Sequence, residues 1–182
     1  PANMRLGSVG KAMPSIDIKI ENAGEDNIGE IIAKGPNVML GYYENPELTE
    51  QVMRGGYFHT GDLGYLDKDG YLFITGRLKN VIVLENGKNV YPEELEFYIS
   101  QLDYVKEILV TNKKENGRDK ITATVVVDTD EISVAEARKL FENDVKGINK
   151  RLANYKQIKD FEVTDKEFIK TTTGKIKRNI QK

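Results

Sequence analysis

An aspartate and an arginine flank one short hairpin in the first half of the sequence. Asp62 lies in the stretch Thr60-Gly61-Asp62-Leu63-Gly64 and Arg77 follows Gly76, with a turn sequence at residues 67–70 between them. A carboxylate can accept both hydroxyls of a ribose, and a planar guanidinium can donate to phosphate oxygens in fixed geometry. The pair could therefore bind a nucleotide. It could equally be an ordinary surface salt bridge, which is a common feature of proteins.

The turn sequence also predicts how the two strands pair. Asp67-Lys68-Asp69-Gly70 is typical of a turn, so Leu66 is expected to pair with Tyr71. In that register Asp62 faces Thr75, and Arg77 is diagonal to Asp62 on the same face. Diagonal neighbours in a sheet are about 7–8 Å apart.

The C-terminal run IKTTTGKIKRNIQK, residues 169–182, holds a second reactive group. Lys175 follows Gly174 and three threonines, whose hydroxyls and backbone N–H groups suit an anion. A lysine there could offset negative charge on an oxyanion or a phosphate. The run is not a Walker A loop, because Ile169 replaces its first glycine and Ile176 follows the lysine. The alternative is a solvated basic tail.

Composition excludes several kinds of site. The chain of 182 residues has no cysteine, one histidine and a net charge of −2, with 39% hydrophobic and 31% charged residues. Disulfides, thiol nucleophiles and multi-histidine metal sites are excluded, and nucleic acid is not an expected partner. No metal site is expected in this chain. His59 is expected to be a half-buried strand residue rather than a general base, because no carboxylate partner lies at a fixed spacing.

The elements that position these residues fall into two parts. Residues 15–34 and 64–77 predict β-hairpins, and Asn45-Pro46 predicts a helix start between them. The sequence after residue 80 predicts a β-hairpin around Asn86-Gly87 and then α, β, β, α and β. The fold class is therefore α+β: a β-rich, partial barrel-like part over 1–78, and a small α+β domain with a short sheet flanked by helices over 79–182.

Two helices in the second part have clear signatures. Pro92 begins a helix whose apolar positions are Leu95, Ile99 and Leu102. Ser133 and Glu136 form a capping box that begins the next helix. Its apolar face comprises Val134, Ala137, Phe141, Val145 and Ile148.

Four segments together resemble the AMP-forming acyl-CoA synthetases of the adenylate-forming enzyme superfamily. They are GEIIAKGPNVMLGYYENPELT (29–49), GYFHTGDLGYLDKDGYLFITGRLKN (56–80), NGKNVYPEELE (86–96) and KTTTGKIKR (170–178). They occur in the family's order and spacing over nearly the whole chain. Within the family, NGKNVYPEE is most similar to bacterial long-chain fatty acid–CoA ligases, and the longer LENGKN turn also favours that branch.

The resemblance implies a role for each matching residue. Asp62 would bind the ribose hydroxyls of ATP, Arg77 would contact ribose or phosphate, and Thr60 belongs to the same ATP- and AMP-binding segment. Lys79 would be the hinge about which residues 79–182 rotate. Lys175 would bridge the acyl carboxylate and the α-phosphate during adenylation.

The resemblance also implies a CoA site and leaves other parts outside the chain. Gly87, Lys88 and Asn89 would lie near the pantetheine channel. The phosphate loop, the adenine-binding segment with its magnesium-binding glutamate, and the acyl pocket would lie upstream of Pro1, so the chain is expected to be an inactive C-terminal fragment. Ile169 stands where many members have proline, which would alter only the approach of the lysine loop.

The implied cofactors are ATP, Mg²⁺ bound upstream, and CoA, and the implied partners are small molecules. The enzyme would be cytoplasmic, with peripheral membrane contact open to it through a lipid substrate. Two alternatives remain. One is a ligase that delivers acyl-AMP to a carrier protein. The other is a non-catalytic binding module that retains the fold.

Overall fold

A computed structural model describes residues 4–24 and 26–178. The chain divides into two compact units, Pro1–Asn80 and Val81–Lys182. Each unit combines helix with sheet, which confirms the α+β class. In the described ranges, none of the helices combines the length and apolarity that crossing a bilayer requires.

The first unit is built on one sheet of six strands. The strands are paired in the order β1-β6-β5-β3-β2, and β4 pairs with β5. All of these pairings are antiparallel. The strand bounds are β1 Gly10–Lys11, β2 Asp17–Glu21, β3 Gly29–Lys34, β4 Met53–Arg54, β5 Tyr57–Leu66 and β6 Tyr71–Arg77. Both predicted hairpins, β2–β3 and β5–β6, are confirmed.

The predicted register of the β5–β6 hairpin is wrong by one residue at the turn. Leu66 pairs with Leu72 rather than Tyr71. The cause is the Asp67 carboxylate, whose Oδ1 accepts from the backbone N–H groups of Asp69 and Tyr71, each at 2.9 Å. A backbone bond from the Asp67 N–H to the Tyr71 carbonyl at 3.0 Å closes a three-residue loop of residues 68–70, in which Gly70 takes the left-handed φ of 80°.

A second shift occurs at the open end of the hairpin. Leu63 pairs with Gly76 whereas Gly64 pairs with Ile74, so Thr75 is an extra residue on β6. Asp62 consequently pairs directly with Arg77, not with Thr75. A bulge of this kind cannot be seen in an alternating pattern of residue types, because it depends on the neighbouring strand.

Helix α1, Pro46–Val52, begins where the sequence predicts. The side chain of Asn45 accepts from the backbone N–H of Leu48 at 3.0 Å, and Pro46 occupies the first helical turn. This cap satisfies one of the N–H groups that a helix start leaves without a helical partner.

The second unit has the predicted element order. It contains β7 Ile82–Val83, β8 Asn89–Val90, α2 Pro92–Ile99, β9 Val105–Glu115, β10 Arg118–Val127, α3 Val134–Asn149 and β11 Asp160–Thr164. β10 pairs antiparallel with β9 and parallel with β11. β7 and β8 form a separate two-stranded sheet.

One hydrophobic core holds the second unit together. Leu95 and Ile99 of α2, and Phe141 of α3, are fully buried in it. Alternate residues of β10 join the same cluster, namely Ile121, Ala123, Val125 and Val127. Leu102 lies beyond the end of α2, contrary to the predicted helix, but it still packs against this core.

Candidate functional site

Asp62 and Arg77 form an ion pair across the open end of the β5–β6 hairpin. Asp62 Oδ1 lies 2.7 Å from Arg77 Nε, and the side chains are 29% and 48% exposed. The contact is closer than the diagonal arrangement that the sequence predicts, because the two residues are directly paired. Both side chains keep accessible surface, so the pair could reach a solvent-borne ligand.

The backbone before Asp62 is bent and held by hydrogen bonds. The Thr60 hydroxyl donates to the carbonyl of Ile31 at 2.7 Å and accepts from the N–H of Asp62 at 3.0 Å. Gly61 has a left-handed φ of 69°, a conformation that residues with a Cβ atom rarely adopt. The Thr60 hydroxyl therefore stabilises the bend that presents Asp62. Its predicted contact with a nucleotide remains a prediction.

This bend is also irregular relative to β3. Glu30 pairs with Leu63 and Ile32 pairs with His59, so one residue of β3 faces three residues of β5. β-Bulges commonly redirect a side chain, and they are frequent beside functional sites. The irregular pairing with β3 thus includes Asp62, and the shift against β6 follows closely, between Leu63 and Gly64.

A buried cluster of charged and polar side chains lies next to the bend at residues 60–62. Glu30 and His59 are each 7% exposed, and Glu30 Oε2 lies 3.0 Å from His59 Nδ1. The prediction that His59 has no carboxylate partner is therefore wrong, and the ring is buried rather than half-buried. The partner was missed because it lies 29 residues away on a neighbouring strand. The strand placement of His59 is confirmed.

Arg54 completes this cluster. Its Nη2 lies 2.9 Å from His59 Nδ1 and 3.8 Å from Glu30 Oε2. Glu21, Glu30 and His59 offer three atoms that could ligate a metal. The guanidinium already supplies a positive charge at that position, so we assign no metal to the cluster.

Lys175 is presented by a hydrogen-bonded turn. Thr171 N–H donates to the Lys175 carbonyl at 2.8 Å, and Gly174 N–H donates to the Thr171 carbonyl at 2.9 Å. Gly174 has a left-handed φ of 78°. The Thr171 hydroxyl accepts from the Lys175 N–H at 3.1 Å, and the side chain of Lys175 is exposed.

Two carboxylates anchor the segments on either side of this turn. On the N-terminal side, Glu107 of β9 accepts from the Phe168 N–H at 3.1 Å and forms an ion pair with Lys170. The hydrogen bond with Glu107 raises the pKa of Lys170. On the C-terminal side, Arg178 forms an ion pair with Glu96 of α2 and donates to the Val110 carbonyl at 3.3 Å.

Glu96 is the more buried of the two carboxylates, Glu93 and Glu96, that lie near Arg178. Burial raises the pKa of its carboxyl group above the ordinary value of 4.5, and the nearby Arg178 charge partly opposes this. The N–H of Val110 also donates to Glu96, at 2.7 Å. The basic tail is therefore attached to α2 and β9 as far as residue 178. Residues 179–182 lie outside the described residues.

Gly87 and Lys88 lie in the exposed turn between β7 and β8, and Asn89 is the first residue of β8. Gly87 N–H donates to the Leu84 carbonyl at 2.8 Å, and Lys88 Nζ lies 4.7 Å from the centre of the Tyr155 ring. A cavity of about 280 Å³ adjoins this turn. It is lined by Leu84, Glu85, Asn86, Arg118, Asp119, Ile121, Asn154, Tyr155, Gln157 and Lys159. The turn is thus beside an open depression that both polar and apolar side chains line.

Lys79 is exposed and lies in the short 3₁₀ helix Leu78–Asn80. This helix directly follows β6, at the end of the first compact unit. Its position is suitable for a hinge, and the role of Lys79 remains a prediction.

The sequence pattern of one protein family, described as AMP-binding enzyme C-terminal domain, matches residues 79–181. The chain belongs to this family. Lys79 is the first residue of the matched AMP-binding enzyme C-terminal domain, which also contains residues 87–89 and Lys175. Asp62 and Arg77 precede the matched region.

Relatives with assigned activities are similar over nearly the whole chain. The 2-succinylbenzoate–CoA ligase of Listeria monocytogenes is 36% identical over 96% of this chain and 34% of its own length. The long-chain-fatty-acid–CoA ligase of Bacillus subtilis is 38% identical over 94% of this chain and 30% of its own length. The chain therefore spans about a third of the length of these relatives.

A solved structure shares the fold. The O-succinylbenzoate CoA synthetase of Bacillus subtilis, in complex with ATP and a magnesium ion, aligns with a TM-score of 0.78 at 34% identity. The alignment covers 97% of this chain and 36% of that protein. The similarity thus includes the β-rich first unit as well as the AMP-binding enzyme C-terminal domain.

Proposed function

We propose that residues 1–182 are the C-terminal part of an ATP-dependent, AMP-forming acyl-CoA ligase. One observation carries the proposal: Asp62, Arg77 and Lys175 are all accessible and all held by hydrogen-bonded structure, in a fold that ligase relatives share. A binding module without activity has no chemical need for all three groups. That argument favours the enzyme over the non-catalytic alternative.

The reaction that we propose has two steps. The carboxylate of the acid attacks the α-phosphorus of ATP and pyrophosphate leaves, which forms acyl-AMP. The CoA thiol then attacks the acyl carbon and AMP leaves. Asp62 accepts the ribose hydroxyls, Arg77 contacts ribose or phosphate, and Lys175 offsets the negative charge that gathers around the α-phosphorus.

Domain rotation at Lys79 would separate the two steps. Lys175 serves the first step, and residues 87–89 lie beside the pantetheine arm in the second. Domain motions that complete a catalytic site gate the steps of many enzymes. The resemblance implies that Mg²⁺ is bound by an upstream part of the protein, and in the described residues two of the three clustered acidic or histidine groups, Glu30 and His59, already contact Arg54.

The proposed acid is a long-chain fatty acid, on the likeness of residues 86–94 to bacterial long-chain ligases and on the relative from Bacillus subtilis. 2-Succinylbenzoate is the second candidate, because relatives of that activity match at similar identity. A carrier protein is the other acyl acceptor that the proposed enzyme could use. Competition between free CoA and a carrier protein would separate these acceptors.

The role of Lys175 is tested with the substitution Lys175→Ala in the intact enzyme. We expect adenylation, followed as pyrophosphate release with a long-chain fatty acid or with 2-succinylbenzoate, to fall at least about a hundredfold. The rate of thioester formation from supplied acyl-AMP and CoA should stay within about twofold of the wild-type rate. The bond between the acyl carboxylate and the α-phosphorus already exists in acyl-AMP, so this step does not need Lys175.

Lys177→Ala is the matched control, since it removes a nearby positive charge outside the turn's glycine–lysine pair. Its adenylation rate should change little. An equal loss of both half-reactions in Lys175→Ala would contradict the role that we give to Lys175.

A further inference from the structure

The carboxylate of Glu30 contacts the backbone of the bend that precedes Asp62. Gly61 N–H donates to Glu30 Oε1 at 3.0 Å. Gly61 is the residue with the left-handed φ of 69°, and Asp62 is the next residue along the chain. The orientation of this one peptide group therefore influences the direction in which the Asp62 side chain leaves the strand.

The second oxygen of Glu30 is held in turn. Glu30 Oε2 lies 3.0 Å from His59 Nδ1, which also lies 2.9 Å from Arg54 Nη2. One ring nitrogen cannot donate to a carboxylate and accept from a guanidinium at once. We assign the proton to Nδ1, donating to Glu30, because a buried carboxylate needs donors whereas the Arg54 side chain is 58% exposed and can bond to water.

The buried carboxylate of Glu30 needs hydrogen-bond partners for both of its oxygens. It is 7% exposed, and burying a charge is costly unless the charge is paired and hydrogen-bonded. Its two oxygens contact the bend on one side and His59 on the other. Glu21 is the other acidic group facing the ring, with Oε2 at 3.7 Å from Nδ1, but it is 41% exposed at its side chain.

We propose that Glu30, held by His59 and Arg54, is a positioning residue for nucleotide binding by Asp62. It fixes the Gly61 peptide, and with it the carboxylate that reads the ribose hydroxyls. The inference rests on the proposed function, because it assumes that Asp62 binds ribose. It adds a residue of β3, remote in sequence from Asp62, to the nucleotide site.

The test compares ATP with 3′-deoxy-ATP in the intact enzyme. The readout is the ratio of kcat/KM for the two nucleotides in pyrophosphate release, because only ribose recognition changes this ratio. Glu30→Met removes the acceptor for Gly61 while keeping an unbranched side chain. We expect the KM for ATP to rise about tenfold or more and the ratio to fall toward one. Glu30→Gln retains an acceptor oxygen and should keep the wild-type ratio.

Two further variants guard against a trivial loss of folding. Glu30→Asp keeps the charge but withdraws the oxygens from Gly61 by about 1.5 Å, so it should also lower the ratio. Glu21→Gln is the matched control, because it neutralises a carboxylate near His59 that does not contact Gly61. Its ratio should equal that of the wild type. Thermal unfolding of each variant reports whether it is folded.

Asp62→Ala distinguishes failure of this inference from failure of the proposed function. If Asp62→Ala leaves the ratio unchanged, Asp62 does not read the ribose and the proposed function is wrong at that residue. If Asp62→Ala lowers the ratio but folded Glu30→Met and Glu30→Asp keep it, only the positioning role is overturned. An equal loss in Glu21→Gln would also overturn it, because cluster charge rather than the Gly61 bond would be responsible.

When both residues act through one contact, their effects are not additive. Glu30→Met in the Asp62→Ala background should then produce no further fall in the ratio. Full additivity in the double variant would count against a positioning role.

Discussion

Arg178 illustrates, at the scale of one residue, how the tail is attached. Its guanidinium pairs with Glu96 and lies 3.7 Å from Glu93. Glu96 is mostly buried, and burial raises the pKa of its carboxyl group while the Arg178 charge lowers it. The arginine thus compensates part of the free-energy cost of burying an ionised carboxylate.

This predicts a pH-dependent effect of Arg178→Ala. A raised pKa in the folded state means that the folded protein binds a proton more readily than the unfolded chain between the ordinary value of 4.5 and the folded pKa. Stability therefore falls as pH rises through that window. Without Arg178 the pKa of Glu96 rises further and the window widens. We expect Arg178→Ala to lower the free energy of unfolding by about 2–3 kcal/mol at neutral pH.

Urea denaturation of the chain over a series of pH values measures this effect. The difference between Arg178→Ala and wild type should narrow as pH falls through the window, because Glu96 is then neutral in both proteins. Arg151→Ala removes an equal charge from an exposed position and should show little change. A difference that is independent of pH would contradict the coupling to Glu96.

At the scale of elements, a capping box stabilises the N-terminus of α3. The Ser133 hydroxyl accepts from the Glu136 N–H at 3.3 Å, and the Glu136 carboxylate accepts from the Ser133 hydroxyl at 2.6 Å. The hydrogen bond from Ser133 lowers the pKa of Glu136 below its ordinary 4.5. The cap fixes the start of the helix whose residues Ala137, Phe141 and Val145 enter the core.

Ser133→Ala should destabilise the second unit, and the size of this destabilisation should depend on pH. Because the folded pKa of Glu136 is depressed, its contribution is present above the ordinary value and is lost as pH falls through the folded value. At neutral pH we expect the midpoint of thermal unfolding to fall by about 4–8 °C. Circular dichroism over a pH series measures the shift.

Ser133→Thr, which keeps a hydroxyl, is the conservative control and should recover most of the loss. A Ser133→Ala effect that persisted unchanged at pH values below the depressed pKa would show that the Glu136 carboxylate has no part in the cap.

At the scale of the whole chain, the second unit has its own core. All members of the main hydrophobic cluster lie between Leu84 and Val163, inside Val81–Lys182. A compact unit with its own core can in principle fold alone. We therefore predict that residues 81–182 fold cooperatively without residues 1–80, with a free energy of unfolding of about 5 kcal/mol or more.

Urea unfolding of the fragment, followed by circular dichroism, measures this prediction. Phe141 is fully buried and meets the Phe161 ring edge to face, with centroids 5.1 Å apart. Phe141→Ala should lower the stability of the fragment by about 3–5 kcal/mol, whereas Phe97→Ala, at a 63% exposed position, should have little effect. A fragment without a cooperative transition would contradict an independent core.

The sequence by itself determined the order of elements in the second unit, both hairpins of the first unit, the capping box and the kinds of residue that could bind a nucleotide, whereas the short strands β1 and β4 were not predicted. These features follow from turn chemistry, apolar periodicity and local hydrogen bonding, all of which act over a few residues. The family resemblance rested on the same short motifs, and the match over residues 79–181 confirmed it as far as the AMP-binding enzyme C-terminal domain. The long-chain branch remains a proposal.

Only the tertiary structure decided how Asp62 is presented. The Asp67 loop and the extra Thr75 shift the register, so that Asp62 pairs with Arg77. Glu30 reaches Gly61 from a neighbouring strand, 31 residues earlier in the chain. Bulges and contacts between distant strands depend on how separate segments pack together, and local residue patterns do not encode that packing.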